Sequence, residues 1–158
     1  MAKILVVYYS RTGFTRTVGQ AIAHALGADS EEIIDLADRK GVRGFFSAGK
    51  EAYAKVPARI MAAQKDPACY DLVIIGTPVW AFTMACAPRA YIETYKKKIT
   101  SAAFFCTTGG AAGEKTLRQM EELSGVRSRA GLVLTSKEIV KGDWQGKIDV
   151  FVKALRSS

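Results

Sequence analysis

The chain has 158 residues, 49% of them apolar and 24% charged, a composition typical of a single globular domain over residues 1–158. Its apolar runs are far shorter than the roughly 18–20 residues of a membrane span, and its three cysteines show no disulfide or zinc-site spacing. We therefore expect a cytoplasmic protein. The net charge of +8 is compatible with an anionic small molecule, an acidic protein partner, nucleic acid, an anionic membrane surface or simply a solvated basic surface.

Strand-like and helix-like segments alternate along the chain. Apolar, β-branched runs predict strands at 3–9, 32–36, 71–76, 102–106 and 131–135. Apolar residues at helical spacing predict helices at 15–26, at 88–99, around 117–123 and at 144–155. This order predicts an α/β fold, a doubly wound five-stranded parallel sheet with helices on both faces. Such sheets bind ligands beyond the carboxyl ends of their strands.

Residues 40–66 interrupt this rhythm. Six basic side chains stand there against two acidic ones, and the apolar residues recur at helical spacing. The pattern predicts an elongated second crossover helix with a solvated basic face. A lid or a partner surface beside the site is the alternative.

The loop after the first strand combines hydroxyl groups with a glycine just before a helix. Free amide groups and the positive end of the helix dipole stabilise an anion at such a place, so we expect a phosphate site. One hydroxyl acting as a helix cap is the alternative. The dinucleotide and nucleotide-triphosphate glycine motifs are both absent. The loop reads Ser10, Arg11, Thr12, Gly13, Phe14 and Thr15.

Two further loops follow the third and fourth strands. Trp80 lies where a planar ligand would stack, although a tryptophan in such a loop can also fill the core. The glycine-rich loop at 107–113 offers small residues whose amides can face the edge of a ring. From these loops we expect contacts from Thr77, Pro78, Val79, Trp80, Thr107, Thr108, Gly109 and Gly110.

The opening run Ile4-Leu5-Val6-Val7-Tyr8-Tyr9-Ser10-Arg11-Thr12-Gly13-Phe14-Thr15 resembles that of the flavodoxins. The similarity extends to residues 73–80 and to the glycine loop, and it is closest to small stand-alone flavodoxin-like proteins. It implies strand order 2-1-3-4-5 and FMN as cofactor, with the phosphate on the first loop and the isoalloxazine ring between the other two.

The chain departs from the family pattern in three ways. Phe14 stands where asparagine is common, and the loop at 107–113 has no aromatic residue to cover the outer face of the ring. The net charge is positive, whereas classical flavodoxins are strongly acidic. An exposed ring face is open to a substrate, and the positive charge argues against a carrier that docks on basic partners.

The leading functional expectation is therefore an FMN-dependent oxidoreductase or an electron-transport protein. An NAD(P)H:quinone reductase type of activity on a small acceptor and a protein-to-protein carrier both remain open. Because the flavin supplies the redox chemistry, we name no catalytic side chain. The alternative is a non-enzymatic binding module whose basic surface takes an acidic partner or nucleic acid. Aromatic residues are not interleaved with the lysines, which argues against nucleic acid.

Overall fold

The structure is a computed structural model that describes residues 1–37, 49–50 and 58–158. The predicted helix at 40–66, with its proposed basic face, falls largely outside these described residues: 49–50 are helical, whereas 58–66 are not, so the helix ends earlier than predicted. No helix in the described ranges is long and apolar enough to cross a membrane.

Strands and helices alternate as predicted. The strands are β1 (Ile4–Tyr8), β2 (Asp29–Glu32), β3 (Leu72–Trp80), β4 (Thr83–Met84), β5 (Ala102–Thr108) and β6 (Ser128–Thr135). The helices are α1 (Phe14–Leu26), α2 (Cys86–Tyr95), α3 (Gly113–Ser124), α4 (Ser136–Lys141) and α5 (Gln145–Ser157). Single 3₁₀ turns lie at Pro67–Cys69 and Lys96–Lys98.

The sheet has the predicted doubly wound topology. Its five parallel strands lie in the order β2-β1-β3-β5-β6, which is the expected 2-1-3-4-5 once the short β4 is set aside. β4 pairs antiparallel with the end of β3 and was not predicted. Strand order reverses between β1 and β3, so the chain leaves their carboxyl ends in opposite directions, and such sheets bind ligands in the crevice between the two connections.

Helices cover both faces because side chains alternate along each strand. On one face, odd-numbered residues of β1 and β3 such as Val7 and Ile75 pack with Tyr91 and Ile92 of α2 and with Met120 of α3. On the other face, even-numbered residues of β1 and β3 pack with α1 and α5. The two apolar clusters fix the helices that flank the crevice.

The second strand was predicted at 32–36, and this prediction is wrong. β2 pairs in parallel with β1 from Asp29 to Glu32, so the strand is polar and lies at the edge of the sheet. Ile33 still donates its N–H to the Tyr8 carbonyl at 2.7 Å. Beyond it the apolar run leaves the sheet and pairs with residues 59–61. Because an edge strand has one neighbour, it tolerates polar residues, and a prediction based on apolar runs therefore places this strand too late in the chain.

The third strand is longer than predicted. β3 continues through Pro78 to Trp80, so most of the expected second loop is strand. Pro78 is tolerated because β1 ends at Tyr8, opposite Gly76, and leaves Pro78 a parallel neighbour in β5 alone. The chain then turns back through β4.

Candidate functional site

The first loop ends in the N-terminus of α1. Gly13 has φ +101°, a left-handed conformation that glycine adopts without strain, and its N–H donates to Ser10 Oγ at 3.1 Å. No side-chain hydrogen bond caps the helix, and its first turn holds no acidic residue. The positive end of the α1 dipole and its first amide groups are thus available to an anion.

Two buried threonine hydroxyls join the first loop to the third. Thr15 Oγ1 and Thr107 Oγ1 lie 2.7 Å apart, and both residues are buried. One hydroxyl donates to the other, so the accepting hydroxyl keeps its own proton for a further acceptor. The pair connects α1 directly to the end of β5.

Strand register aligns the other contributing loops. Pro78 of β3 is the partner of Thr107 in β5, and Thr108 is the partner of Thr135 in β6. The Ser136 hydroxyl then donates to the Thr108 carbonyl at 3.4 Å. The carboxyl ends of three adjacent strands therefore meet at one edge of the sheet.

Trp80 stands at the end of β3 and is half-buried. Its ring makes an edge-on contact with Tyr9, with 5.4 Å between centroids and an 87° angle between planes. A perpendicular contact of this kind is a favoured arrangement of two aromatic rings and fixes their relative orientation.

These elements enclose a cleft of about 180 Å³ at the carboxyl ends of the strands. It brings together most of the residues that the sequence predicts, and it adds Ser136. The lining residues are Arg11, Thr12, Phe14, Thr15, Pro78, Val79, Trp80, Thr107, Thr108, Gly109 and Ser136.

The sequence analysis does not identify Ser136, because it predicts no helix between the fifth strand and residue 144. The start of the helix at 136–141 nevertheless has a recognisable sequence pattern. Thr135 and Glu138 form a capping box, in which Thr135 Oγ1 accepts from the Glu138 N–H and the Glu138 carboxylate accepts from the Thr135 N–H. The threonine-x-x-glutamate spacing is typical of a helix start.

Four predicted contact residues lie outside the cleft lining. Ser10 and Gly13 shape the first loop through their mutual hydrogen bond. Thr77 is fully buried, and its hydroxyl accepts from the Ala85 N–H at 3.0 Å, just before α2 begins. Gly110 is exposed and donates its N–H to Thr108 Oγ1 at 3.2 Å. Thr77 and Gly110 therefore support neighbouring residues of the site.

Cys106 lies near the cleft but is chemically protected. It is fully buried, its Sγ donates to the Gly113 carbonyl at 3.6 Å, and burial raises the pKa of its thiol to about 12. The reactive thiolate is therefore scarce at neutral pH.

Two larger clefts lie at the edges of the sheet. One of about 420 Å³ separates residues 30–34 from residues 61–65, and one of about 750 Å³ separates β6 from α5. Neither contains the uncapped start of α1 or the ends of β1 and β3. The cleft of about 180 Å³ is therefore the candidate site, because it lies where the strand order reverses and beside the uncapped start of α1.

Comparison with solved structures gives the same fold. A candidate flavoprotein from Bacteroides eggerthii has a TM-score of 0.73 at 22% identity, covering 92% of this chain and 98% of its own. A Lactobacillus acidophilus flavoprotein in complex with FMN has a TM-score of 0.68 at 19% identity, covering 89% and 98%. An NADH:FMN oxidoreductase in its apo form has a TM-score of 0.60 at 19% identity, covering 98% and 90%.

A sequence-level match extends this structural likeness. The family model described as flavodoxin matches residues 3–145, a range that includes every residue of the candidate cleft. The chain belongs to the flavodoxin family.

Proposed function

We propose that this protein binds FMN in the cleft and acts as a redox protein that reduces a small acceptor such as a quinone. The observation that carries the proposal is the cleft itself, which joins an uncapped helix start to buried hydroxyls and to the indole of Trp80, whose ring contacts Tyr9. Bound FMN supplies the capacity to accept electrons and pass them on. The chain's own residues have to bind the cofactor and orient it.

The first loop fits a phosphate group. The amide groups at the start of α1 and the hydroxyls of Thr12 and Thr15 donate to phosphate oxygens, and Arg11 supplies a positive charge beside them. The absence of an acidic residue in the first turn of α1 avoids repulsion. This donor set distinguishes a phosphorylated ligand from a neutral one.

The remaining lining fits a planar ring. Pro78 and Val79 provide an apolar strand end, Trp80 provides aromatic surface, and Gly109 provides backbone that no side chain covers. Between 107 and 113 no aromatic side chain is present to cover a ring. An uncovered ring face supports direct reduction of a small acceptor over exchange with a partner protein alone.

Family membership and the FMN complex of the Lactobacillus acidophilus protein support FMN as the ligand. The NADH:FMN oxidoreductase of the same fold supports an oxidoreductase activity. A cytoplasmic location, expected from the unpaired cysteines, belongs to the same proposal.

The binding experiment compares FMN with riboflavin, which lacks the phosphate. Thr12→Ala removes a hydroxyl that donates to a charged group, so FMN binding should weaken about tenfold while riboflavin binding stays unchanged. Thr94→Ala is the control, since the Thr94 hydroxyl donates to the Ala90 carbonyl within α2. Equal weakening of both ligands would show that the loop does not hold the phosphate.

A turnover assay separates the two redox roles. A reductase oxidises NADH or NADPH in the presence of FMN and a quinone, whereas a carrier needs a separate reductase. Colourless protein that binds no FMN would refute the proposal and would favour the binding-module alternative.

A further inference from the structure

Trp80 is carried by a hairpin whose backbone is strained. Trp80 pairs with Thr83 across a two-residue turn, in which Ala81 has φ +47° and Phe82 has φ +64°. Positive φ at both central residues is the pattern of a type I′ turn, which strongly favours Asn-Gly. Alanine and phenylalanine are disfavoured there, so contacts elsewhere must hold the turn.

The Phe82 side chain does not supply those contacts, because it is 63% exposed. Thr83 does supply them. Its hydroxyl donates to Gln119 Oε1 of α3 at 2.6 Å and accepts from Arg89 Nη2 of α2 at 3.2 Å. The hairpin is therefore tied to two helices through one buried hydroxyl.

Arg89 is an unusual partner for this tie. It is only 6% exposed, its Nε has no hydrogen-bond partner, and none of the described acidic residues forms an ion pair with it. Burial lowers the pKa of its guanidinium, and the nearby Glu93 carboxylate only partly offsets this. A buried charge without an ion pair opposes folding, so stability alone does not explain an arginine at this position.

We propose that Arg89 and Thr83 are positioning residues that hold the strained hairpin and thereby fix the Trp80 ring. The consequence for the cofactor rests on the proposed function, since Trp80 would then meet the FMN ring without being ordered first. The consequence for Trp80 itself is independent of any ligand.

The first experiment follows Trp80 in the protein without cofactor. The chain has two tryptophans, so Trp144→Phe leaves Trp80 as the one fluorophore of its kind. In that background, Arg89→Met keeps an apolar side chain of similar length but removes the donors and the charge. We expect Trp80 to gain fast local motion in time-resolved anisotropy, while the thermal midpoint stays unchanged or rises.

Greater Trp80 motion without a lower thermal midpoint distinguishes a positioning role from a general structural role. A residue that merely supports the fold would lower the thermal midpoint when replaced. Arg89→Met should also weaken FMN binding about two- to tenfold, because ordering the freed Trp80 side chain then opposes binding.

Thr83→Val tests the same tie from the other side, because valine keeps the shape of threonine without its hydroxyl. It should free Trp80 as Arg89→Met does. Thr94→Val is the matched control, since its hydroxyl bonds within α2 and does not reach the hairpin. It should leave Trp80 anisotropy unchanged.

Relief of the strain provides the rescue. With Ala81→Asn and Phe82→Gly, the turn takes its preferred residues and no longer depends on the tie. Adding Thr83→Val to that background should then leave Trp80 ordered and FMN affinity unchanged.

Unchanged Trp80 anisotropy in both Arg89→Met and Thr83→Val would overturn the positioning role, as would failure of the turn substitutions to rescue Thr83→Val. If the wild-type protein binds no FMN but Trp80 loosens in both variants, the proposed function fails and the positioning role stands.

Discussion

The first loop, residues 10–15, and the Trp80 hairpin, residues 80–83, lie on the same cleft but are shaped in different ways. In the loop, Gly13 takes a positive φ without strain and Ser10 Oγ accepts its N–H three residues away. In the hairpin, Ala81 and Phe82 take positive φ against their preference. The hydroxyl that holds that hairpin is bonded to two helices, through Arg89 in the helix that follows it and through Gln119, 36 residues away.

This difference separates local from tertiary control of the site. The turn at Gly13 within the loop is formed by residues at short range, so its geometry should persist when distant contacts are changed. The hairpin should respond to changes in the sheet and helices beneath it. The following substitutions test that contrast, in descending order of expected effect.

Gly76→Ala should produce the largest effect, on the strand that leads to the hairpin. A Cβ at Gly76 would lie 2.0 Å from Phe105 Cζ, so the buried ring must shift. We expect a loss of about 3 kcal/mol in the free energy of unfolding by urea denaturation. Gly146→Ala, whose Cβ meets no atom within 4 Å, should change it by less than about 1 kcal/mol. Similar losses in the free energy of unfolding for the two variants would mean that β3 and the Phe105 ring shift at little energetic cost.

Trp80→Ala should weaken the binding of FMN and of riboflavin alike, by at least about tenfold, since both ligands have the ring. Quenching of flavin fluorescence measures both affinities. Trp80→Phe should restore much of the loss. An effect confined to FMN would place Trp80 at the phosphate and remove the contrast between loop and hairpin.

Gly13→Ala should act through the backbone alone. Its Cβ would meet Arg16 Nη1 at 3.8 Å, an ordinary contact, but an alanine at φ +101° is strained. We expect a loss of about 1–2 kcal/mol in the free energy of unfolding. Gly110→Ala, at an exposed position without positive φ, should cost less than about 1 kcal/mol. Equal costs would show that the loop geometry does not depend on the glycine.

The smallest effect concerns the start of α4 beside the cleft. Hydrogen bonds from Lys147 and the Thr135 N–H lower the pKa of Glu138 from 4.5 to about 2. Because the pKa is lower in the folded state, this stabilisation is complete above about pH 4.5 and is lost as pH falls towards 2. Glu138→Gln should lower the free energy of unfolding by less than about 1 kcal/mol at pH 7. It should also reduce the loss of stability on acidification from pH 4.5 towards pH 2, the acid limb of the stability curve.

Replacement of Glu122, an exposed residue of α3, by glutamine is the control for that titration. It removes one carboxylate from a site without a capping box. An equal flattening in both variants would mean that the acid limb reflects net charge instead of the Glu138 contacts.

The same contrast explains what could be predicted from the sequence. Gly13 and Thr15 were assigned from neighbours within a few residues, and the doubly wound topology followed from alternating periodicity. The contact of Thr15 with Thr107 spans 92 residues, and the internal role of Thr77 depends on Ala85 across a hairpin that no local pattern indicated. Periodicity reports which face of an element is buried, but it does not report which hydroxyl meets which backbone group.

The polar edge strand β2 has a consequence for crowded solutions. Three of its four residues, Asp29, Glu31 and Glu32, are acidic, although the whole chain carries +8. An exposed sheet edge is a template for pairing with another chain, and like charges placed opposite each other oppose that pairing. The acidic side chains of β2 also hold neighbouring parts of the chain, since Glu32 pairs with Arg16 and Glu31 accepts the N–H groups of Gln64 and Lys65. The polar strand at the rim of the sheet thus has the residue types that disfavour pairing with a second copy.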